Sequence, residues 1–193
     1  MRNSAAKKDA NRQLILQAAG RLFREKGIEQ VGVADVMRAA GMTHGGFYRH
    51  FSDKSDLATQ AISQALAVQQ EAAINGAPGI PALAESYLNS EHRDSIGSGC
   101  VFAALGSETA RGHDASRAAM SQAIRSQIDF LAAGAAGKTD EQRRQIAVGS
   151  WSAMIGALIL SRISEDATLS EEILHETKGW LLSQQTSISA DRP

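Results

Sequence analysis

Along the first sixty residues apolar positions return every three or four. In "ANRQLILQAAGRLFREKG", Ile15, Ala18, Ala19, Leu22 and Phe23 share one face, which predicts a helix from Ala10 to Lys26. Gly27 stands just past its end, where a left-handed cap is wanted. Gly20 lies off that stripe and costs the helix roughly 1 kcal/mol relative to Ala. A shorter helix follows in "VADVMRAAG", with Val33, Val36 and Met37 inward and Gly41 closing it. After "GMT" the pattern restarts, with Thr43 as N-cap and Phe47 and Phe51 four apart on one face. Two short helices joined by a tight glycine-containing turn predict a helix-turn-helix. The next segment, "SDKSDLATQAISQALAVQQEAA", predicts a longer helix. Ser52 caps it, Asp53 favours its positive end, and Leu57, Ala61, Ile62, Ala65 and Leu66 form its buried stripe.

"NGAPGIP", residues 75 to 81, breaks that helix and reads as a linker. Five more helical stretches follow, at about 82–91, 99–111, 114–135, 139–163 and 169–185. The loop "EHRDSIGSG" separates the first two. Thr139 with Gln142 and Thr168 with Glu171 have the spacing of capping boxes. The chain then ends on a short polar tail, "TSISADRP". Every element is helical, so the fold class expected is all-α.

Composition and charge sharpen this picture in two places. Net charge is −1, yet residues 1–60 hold ten Lys or Arg against six Asp or Glu, while residues 61–193 hold ten against fifteen. The basic part, the first sixty residues, is the one with the helix-turn-helix, as an anion-binding face requires. The single Cys100 excludes an intramolecular disulfide. The opening residues lack the apolar run of a signal peptide, and the longest apolar run, "AMIGALIL", is too short to cross a bilayer. A protein of a reducing cytoplasm, without a membrane, is the expectation.

The densest stretch chemically is "GMTHGGFYRHF". Gly45 and Gly46 fall in the first turn of the second helix of the pair, where a recognition helix brings its backbone amides and first side chains against DNA. With Phe47 and Phe51 turned into the core, Thr43, His44, Tyr48, Arg49 and His50 are left facing a ligand. Lys54, at the start of the long helix, stands over the same surface.

From about Asn11 to Ile62 the chain resembles the DNA-binding domain of the tetracycline-repressor (TetR) family. The resemblance is carried by Ala18, Ala19, Leu22, Phe23, Gly27, Val33, Asp35, Val36, Ala39, Ala40, Gly41, Met42, Thr43, Gly45, Tyr48, His50, Phe51, Lys54 and Leu57. It implies a DNA-binding domain over 1–60 and a helical effector-binding and dimerisation domain over 61–193. The protein would be a homodimeric regulator, most simply a repressor, that binds a palindromic operator and releases it when a small molecule enters the C-terminal domain. Tyr48 and Lys54 resemble the family's phosphate-contacting pair. Thr43, His44 and Gly46 stand where base readers and close backbone contacts occur, and His50 stands where a phosphate is flanked. Two positions depart from the pattern: Gly32 replaces the usual Ser or Thr cap, and His44 stands where a basic or small residue is common.

For the remaining 130 or so residues the resemblance supplies roles but no motif. Gly149, Ala153, Gly156 and Leu160 make a narrow face of small residues beside a bulky one of Trp151, Ile155 and Leu158. With Ile173, Leu174, Thr177 and Leu181 of the last helix, the small face is the expected dimer contact. A pocket for a neutral or weakly polar effector is expected among helices 82–163, walled by Tyr87, Cys100, Phe102, Met120, Ile124, Phe130, Trp151 and Met154. Cys100, at a helix start, also permits a different trigger: thiol chemistry in a redox- or electrophile-sensing DNA-binding regulator. His44, His50, His92, His113 and His175 lack metal-ligand spacing, and no nucleophile–base pair or carboxylate pair is legible. No metal, cofactor or enzymatic activity is expected.

Overall fold

A computed structural model describes residues 2–75 and 79–190, with side chains described from 5 to 75 and from 79 to 184. Residues 76–78 of the expected linker and 191–193 of the polar tail lie outside the described residues. Every described element is helical. They are α1 (Arg2–Lys26), α2 (Val33–Ala39), a 3₁₀ segment (His44–Arg49), α3 (Lys54–Asn75), α4 (Ile80–Tyr87), α5 (Ser90–Asp94), α6 (Val101–Arg111), α7 (Asp114–Ala133), α8 (Asp140–Ile163) and α9 (Ala167–Ala190). The chain divides into two compact units, Met1–Val68 with Gly97–Ser121, and Gln69–Ile96 with Gln122–Pro193.

In the first unit the apolar stripe of α1 is buried as its period demands. Ile15, Leu16, Ala19, Leu22 and Phe23 join Val36, Met37, Phe47, Phe51, Leu57 and Ile62 in one core. Gly20, expected off this stripe, is buried instead: a side chain there would meet the Ala61 carbonyl and the Ala65 side chain, so α1 and α3 lie close together at this point. α1 also begins two turns before Ala10, because Ala5, Ala6, Lys7 and Lys8 are good helix formers and no glycine or proline interrupts them. Gly27 ends it at φ +84, its amide donating to the Phe23 carbonyl at 2.8 Å. The next amide, Ile28, donates to Glu108 Oε2 on α6 at 2.7 Å, and Arg24 Nε donates to the Gly97 carbonyl at 2.7 Å. Contacts eighty and seventy-three residues apart in sequence thus fasten the end of α1 to the segment 97–121.

The cap of α3 differs by one residue from expectation. Asp53 Oδ1 accepts the Asp56 amide at 2.8 Å, and Asp56 Oδ2 accepts that of Ser52 at 3.0 Å, so Asp53 and not Ser52 is the N-cap. A carboxylate outcompetes a hydroxyl here because it also meets the positive helix end.

In the second unit α8 and α9 pack together, and α4 packs on both. The Thr139–Gln142 capping box forms, with both reciprocal bonds at 3.2 Å. The stretch expected as one helix over 82–91 is two, because Asn89 Oδ1 accepts the His92 amide at 2.8 Å and starts α5 inside the expected loop. The Thr168–Glu171 box is replaced by Asp166, whose Oδ1 accepts the amides of Thr168 and Leu169 at 2.8 and 3.2 Å. Glu171 instead pairs with Arg93 at 2.8 Å. By length and composition α8 is apolar enough to cross a bilayer, but its Ala147, Trp151, Met154 and Leu158 are buried in the core of this unit.

Candidate nucleic-acid interface

The turn that presents the site is set by backbone chemistry. α2 ends in a Schellman motif: the Gly41 amide donates to the Arg38 carbonyl at 3.0 Å and the Met42 amide to that of Met37 at 2.8 Å, with Gly41 at φ +72. At the other end of α2, Gly32 is the N-cap, and its amide is taken by Asp35 Oδ2 at 3.3 Å. The chain then enters the segment His44–Arg49, which is 3₁₀ and not the α-helix its spacing predicts. Gly45 and Gly46 lower helix propensity there, and six residues are too few to recover it by packing. Thr43 occupies the N-cap position without a side-chain bond, and the Gly46 amide closes the turn on the Thr43 carbonyl at 3.1 Å.

Two rings anchor this short segment. Phe47 and Phe51 are buried and stacked at 5.7 Å, and Tyr48 meets Phe47 edge-on at 5.1 Å. Held from below in this way, the segment turns Thr43, His44, Gly45, Tyr48 and Arg49 outward, with Tyr48 72% exposed. Gly46 is half-buried over Met37, and a Cβ at Gly45 would meet nothing within 4 Å, so the fold itself does not require a bare backbone at Gly45. Lys54 is half-buried and its Nζ donates to the Glu29 carbonyl at 3.0 Å, so its charge is held beside the loop before α2 with no carboxylate partner among the described ion pairs.

His50 is the residue whose setting differs most from an open surface. Its ring is half-buried beside Phe51, at 6.3 Å, and its Nδ1 is buried without a hydrogen-bond partner. Burial, then the charges of Lys8, Arg12 and Arg49, hold its pKa below the usual imidazole value. Arg12 lies with its guanidinium carbon 5.2 Å from the Phe51 ring centre. The outward candidates Thr43, His44, Tyr48, Arg49, His50 and Lys54 therefore share the first unit with two cations that sequence reading passed over. The signal was present: Lys8 and Arg12 are four apart and continue the stripe that carries Ile15 and Ala19.

The residues expected around an effector fall in both units. Tyr87, Trp151 and Met154 are buried in the second, where Phe130 is half-buried and Ile124 exposed. Cys100, Phe102 and Met120 belong to the first. Cys100 is the N-cap residue of α6, reduced and only 4% exposed, a setting that suits a small buried hydrophobe better than a reactive thiol. The residues expected at a dimer contact differ in exposure. Leu174 and Leu181 are 2% and 1% exposed inside their own subunit. The expected Ala153, Gly156, Leu160, Ile173 and Thr177 line an outer groove of about 500 Å³, joined by Trp180 among others. Trp180, unmarked in the sequence reading, is a quarter turn from Leu181 and so exchanges places with it.

Comparison with known proteins agrees with the geometry. Residues 15–61 match the family model described as bacterial regulatory proteins, tetR family. The HTH-type transcriptional regulator AcrR of Shigella flexneri is 48% identical over 46 residues, 24% of this chain and 21% of its own length. The HTH-type transcriptional repressor BepR of Brucella suis is 35% identical over 77 residues, 40% of this chain and 37% of its own. The chain thus spans well under half the length of these curated relatives. A crystal structure of a TetR-family transcriptional regulator from Cytophaga hutchinsonii superposes with a TM-score of 0.74 at 20% identity, over 92% of this chain and 96% of that one. That likeness extends the common fold through the C-terminal helices, an N-terminal helix-turn-helix domain followed by a helical domain. The family match is confined to the helix-turn-helix: over residues 15–61 the chain is similar to the tetR family of bacterial regulatory proteins.

Proposed function

We propose that this protein is a cytoplasmic homodimeric transcriptional repressor that holds a palindromic operator and releases it when a small molecule binds its C-terminal helices. The head, residues 1–60, would lay the segment His44–Arg49 in a major groove, with two heads reading half-sites a whole helical turn or a near multiple apart. Residues 61–193 would carry the effector site and the dimer contact. One observation carries the DNA reading. A short segment anchored by two buried rings presents Thr43, His44, Tyr48 and Arg49 outward with no acidic residue among them. In the repressor named BepR, the related stretch belongs to a protein of this class. The exposed α8–α9 groove supports the dimer: Leu160 and Trp180 are 56% and 51% exposed around a bare Gly156, an arrangement suited to a second copy of the same face.

Affinity for duplexes from the DNA flanking the gene, measured by mobility shift over a series of salt concentrations, tests this reading. Lys54→Ala is expected to weaken binding to all sequences alike and to flatten the salt dependence by about one unit per subunit, because one phosphate contact is lost. Tyr48→Phe should weaken binding without changing the slope, since it removes a hydroxyl and no charge. His44→Ala should change base preference more than affinity. An unchanged slope in Lys54→Ala, or unchanged affinity in Tyr48→Phe, would refute the assigned contact.

A further inference from the structure

The buried face of α1 does not stop where its apolar residues stop. At about 100° per residue, Lys8 projects within roughly 20° of the directions of Ile15 and Ala19, and Arg12 about 40° from Lys8. The stripe that covers the core therefore continues outward as Arg12 and then Lys8, over two further turns of continuous helix. Both side chains lie on the side of the helix-turn-helix. Arg12 reaches it, 5.2 Å from the Phe51 ring, and the charges of Lys8, Arg12 and Arg49 all act on the half-buried imidazole of His50. Neither Lys8 nor Arg12 is in a described ion pair. Asp56 lies within electrostatic reach of Arg12, but its oxygens already serve the Ser52 amide, the Ser52 hydroxyl and Gln60. Asp56 offsets part of the charge of Arg12, and the cations acting on His50 still repel one another until a further anion joins them.

We propose that the first turns of α1 are a second phosphate-binding element, in which Lys8 and Arg12 join His50 in holding a backbone phosphate of the duplex beside the recognition segment. This rests on the DNA-binding reading above and adds an element to it. The occupant is a phosphate of double-stranded DNA, because the cluster is continuous with the outward side chains Tyr48 and Arg49. The contact carries no base information, so it raises affinity for every sequence equally.

The test uses the full-length protein and a duplex it binds, between about 50 and 200 mM salt. Lys8→Ala and Arg12→Ala should each flatten the log–log salt slope by about 0.9 per subunit, which is about a 3.5-fold smaller loss of affinity across that range. Arg12→Lys should keep the slope, whereas a purely structural role for the Arg12–Phe51 contact would not be rescued in that way. Lys7→Ala removes the same charge one position along, about 100° away from the stripe, and should leave the slope nearly unchanged. Far-ultraviolet circular dichroism and thermal melts establish that each variant is folded. Slopes for Lys8→Ala and Arg12→Ala equal to that of Lys7→Ala would overturn the inference while leaving the DNA reading standing. Failure of the unsubstituted protein to bind any duplex at low salt would overturn both.

Discussion

Gly27 and Gly41 both end a helix in the left-handed region, at φ +84 and +72, yet they differ in what a methyl group would touch. At Gly41 an added Cβ meets nothing within 4 Å. Gly41→Ala therefore isolates the backbone cost, about 1–2 kcal/mol for an L-residue in that conformation. At Gly27 the same Cβ would overlap Glu108 Oε1. Glu108 would have to withdraw, and its bond to the Ile28 amide at 2.7 Å would go with it. Losing a charge-assisted bond to a part-buried amide adds about 1–3 kcal/mol, so Gly27→Ala should cost about 2–5 kcal/mol in total. Urea denaturation followed by far-ultraviolet circular dichroism measures both, because Trp151 and Trp180 lie in the second unit and their fluorescence would not report the first. A background of Glu108→Ala should shrink the excess of Gly27→Ala over Gly41→Ala to nearly nothing, as a double-mutant cycle requires. Equal costs for the two single substitutions would refute the Glu108 clasp.

Two further outcomes follow from groups elsewhere in the molecule. His50 and His92 both have folded pKa values lowered from the ordinary 6.5, chiefly by burial, while Lys8, Arg12 and Arg49 add to the shift in His50 and Arg162 to that in His92. The unfolded chain then binds more protons below about pH 6.5, so the stability these rings contribute is present above that value and lost as pH falls toward the folded values. Denaturation midpoints should decline from about pH 7 downward and the decline should weaken in His50→Gln and His92→Gln; a flat profile above the carboxylate range would contradict both assignments. On the α8–α9 face, Gly156→Arg should convert the proposed dimer to a monomer in sedimentation velocity and weaken the proposed operator binding by more than tenfold, since two linked heads exceed one by avidity. Dimers that persist unchanged would place the contact elsewhere.

What could be read without coordinates was whatever is local and periodic. Ile15, Ala19 and Phe23 announce α1, and Gly27 and Gly41 announce their caps, because each signal lies within one or two turns of its effect. Errors arose where two nearby residues compete for one role. Asp53 took the cap expected of Ser52, and Asp166 took that of Thr168, since both types suit the position and only geometry decides. Leu181 and Trp180 exchanged inner and outer places for the related reason that a stripe's phase is uncertain by one residue when both neighbours are apolar. The segment His44–Arg49 has a local signal for its place but not for its pitch, because two glycines leave the choice between 3₁₀ and α to packing. Lys8 and Arg12 continue the stripe of Ile15 and Ala19, but a cation on a helix ordinarily meets water, and the position of Phe51 beside Arg12 has no local signal. The Glu108–Ile28 bond had no local signal at all.

That bond bears on how freely such a head can be transplanted. A chimera that joined residues 1–60 to a foreign scaffold would carry the Ile28 amide and the Arg24 guanidinium without Glu108 and the Gly97 carbonyl, two polar groups stripped of the acceptors that satisfy them. A piece that brings 97–121 along keeps those acceptors but also carries 69–96, whose α4 packs on α8 and α9, so no single cut in the chain leaves both units whole.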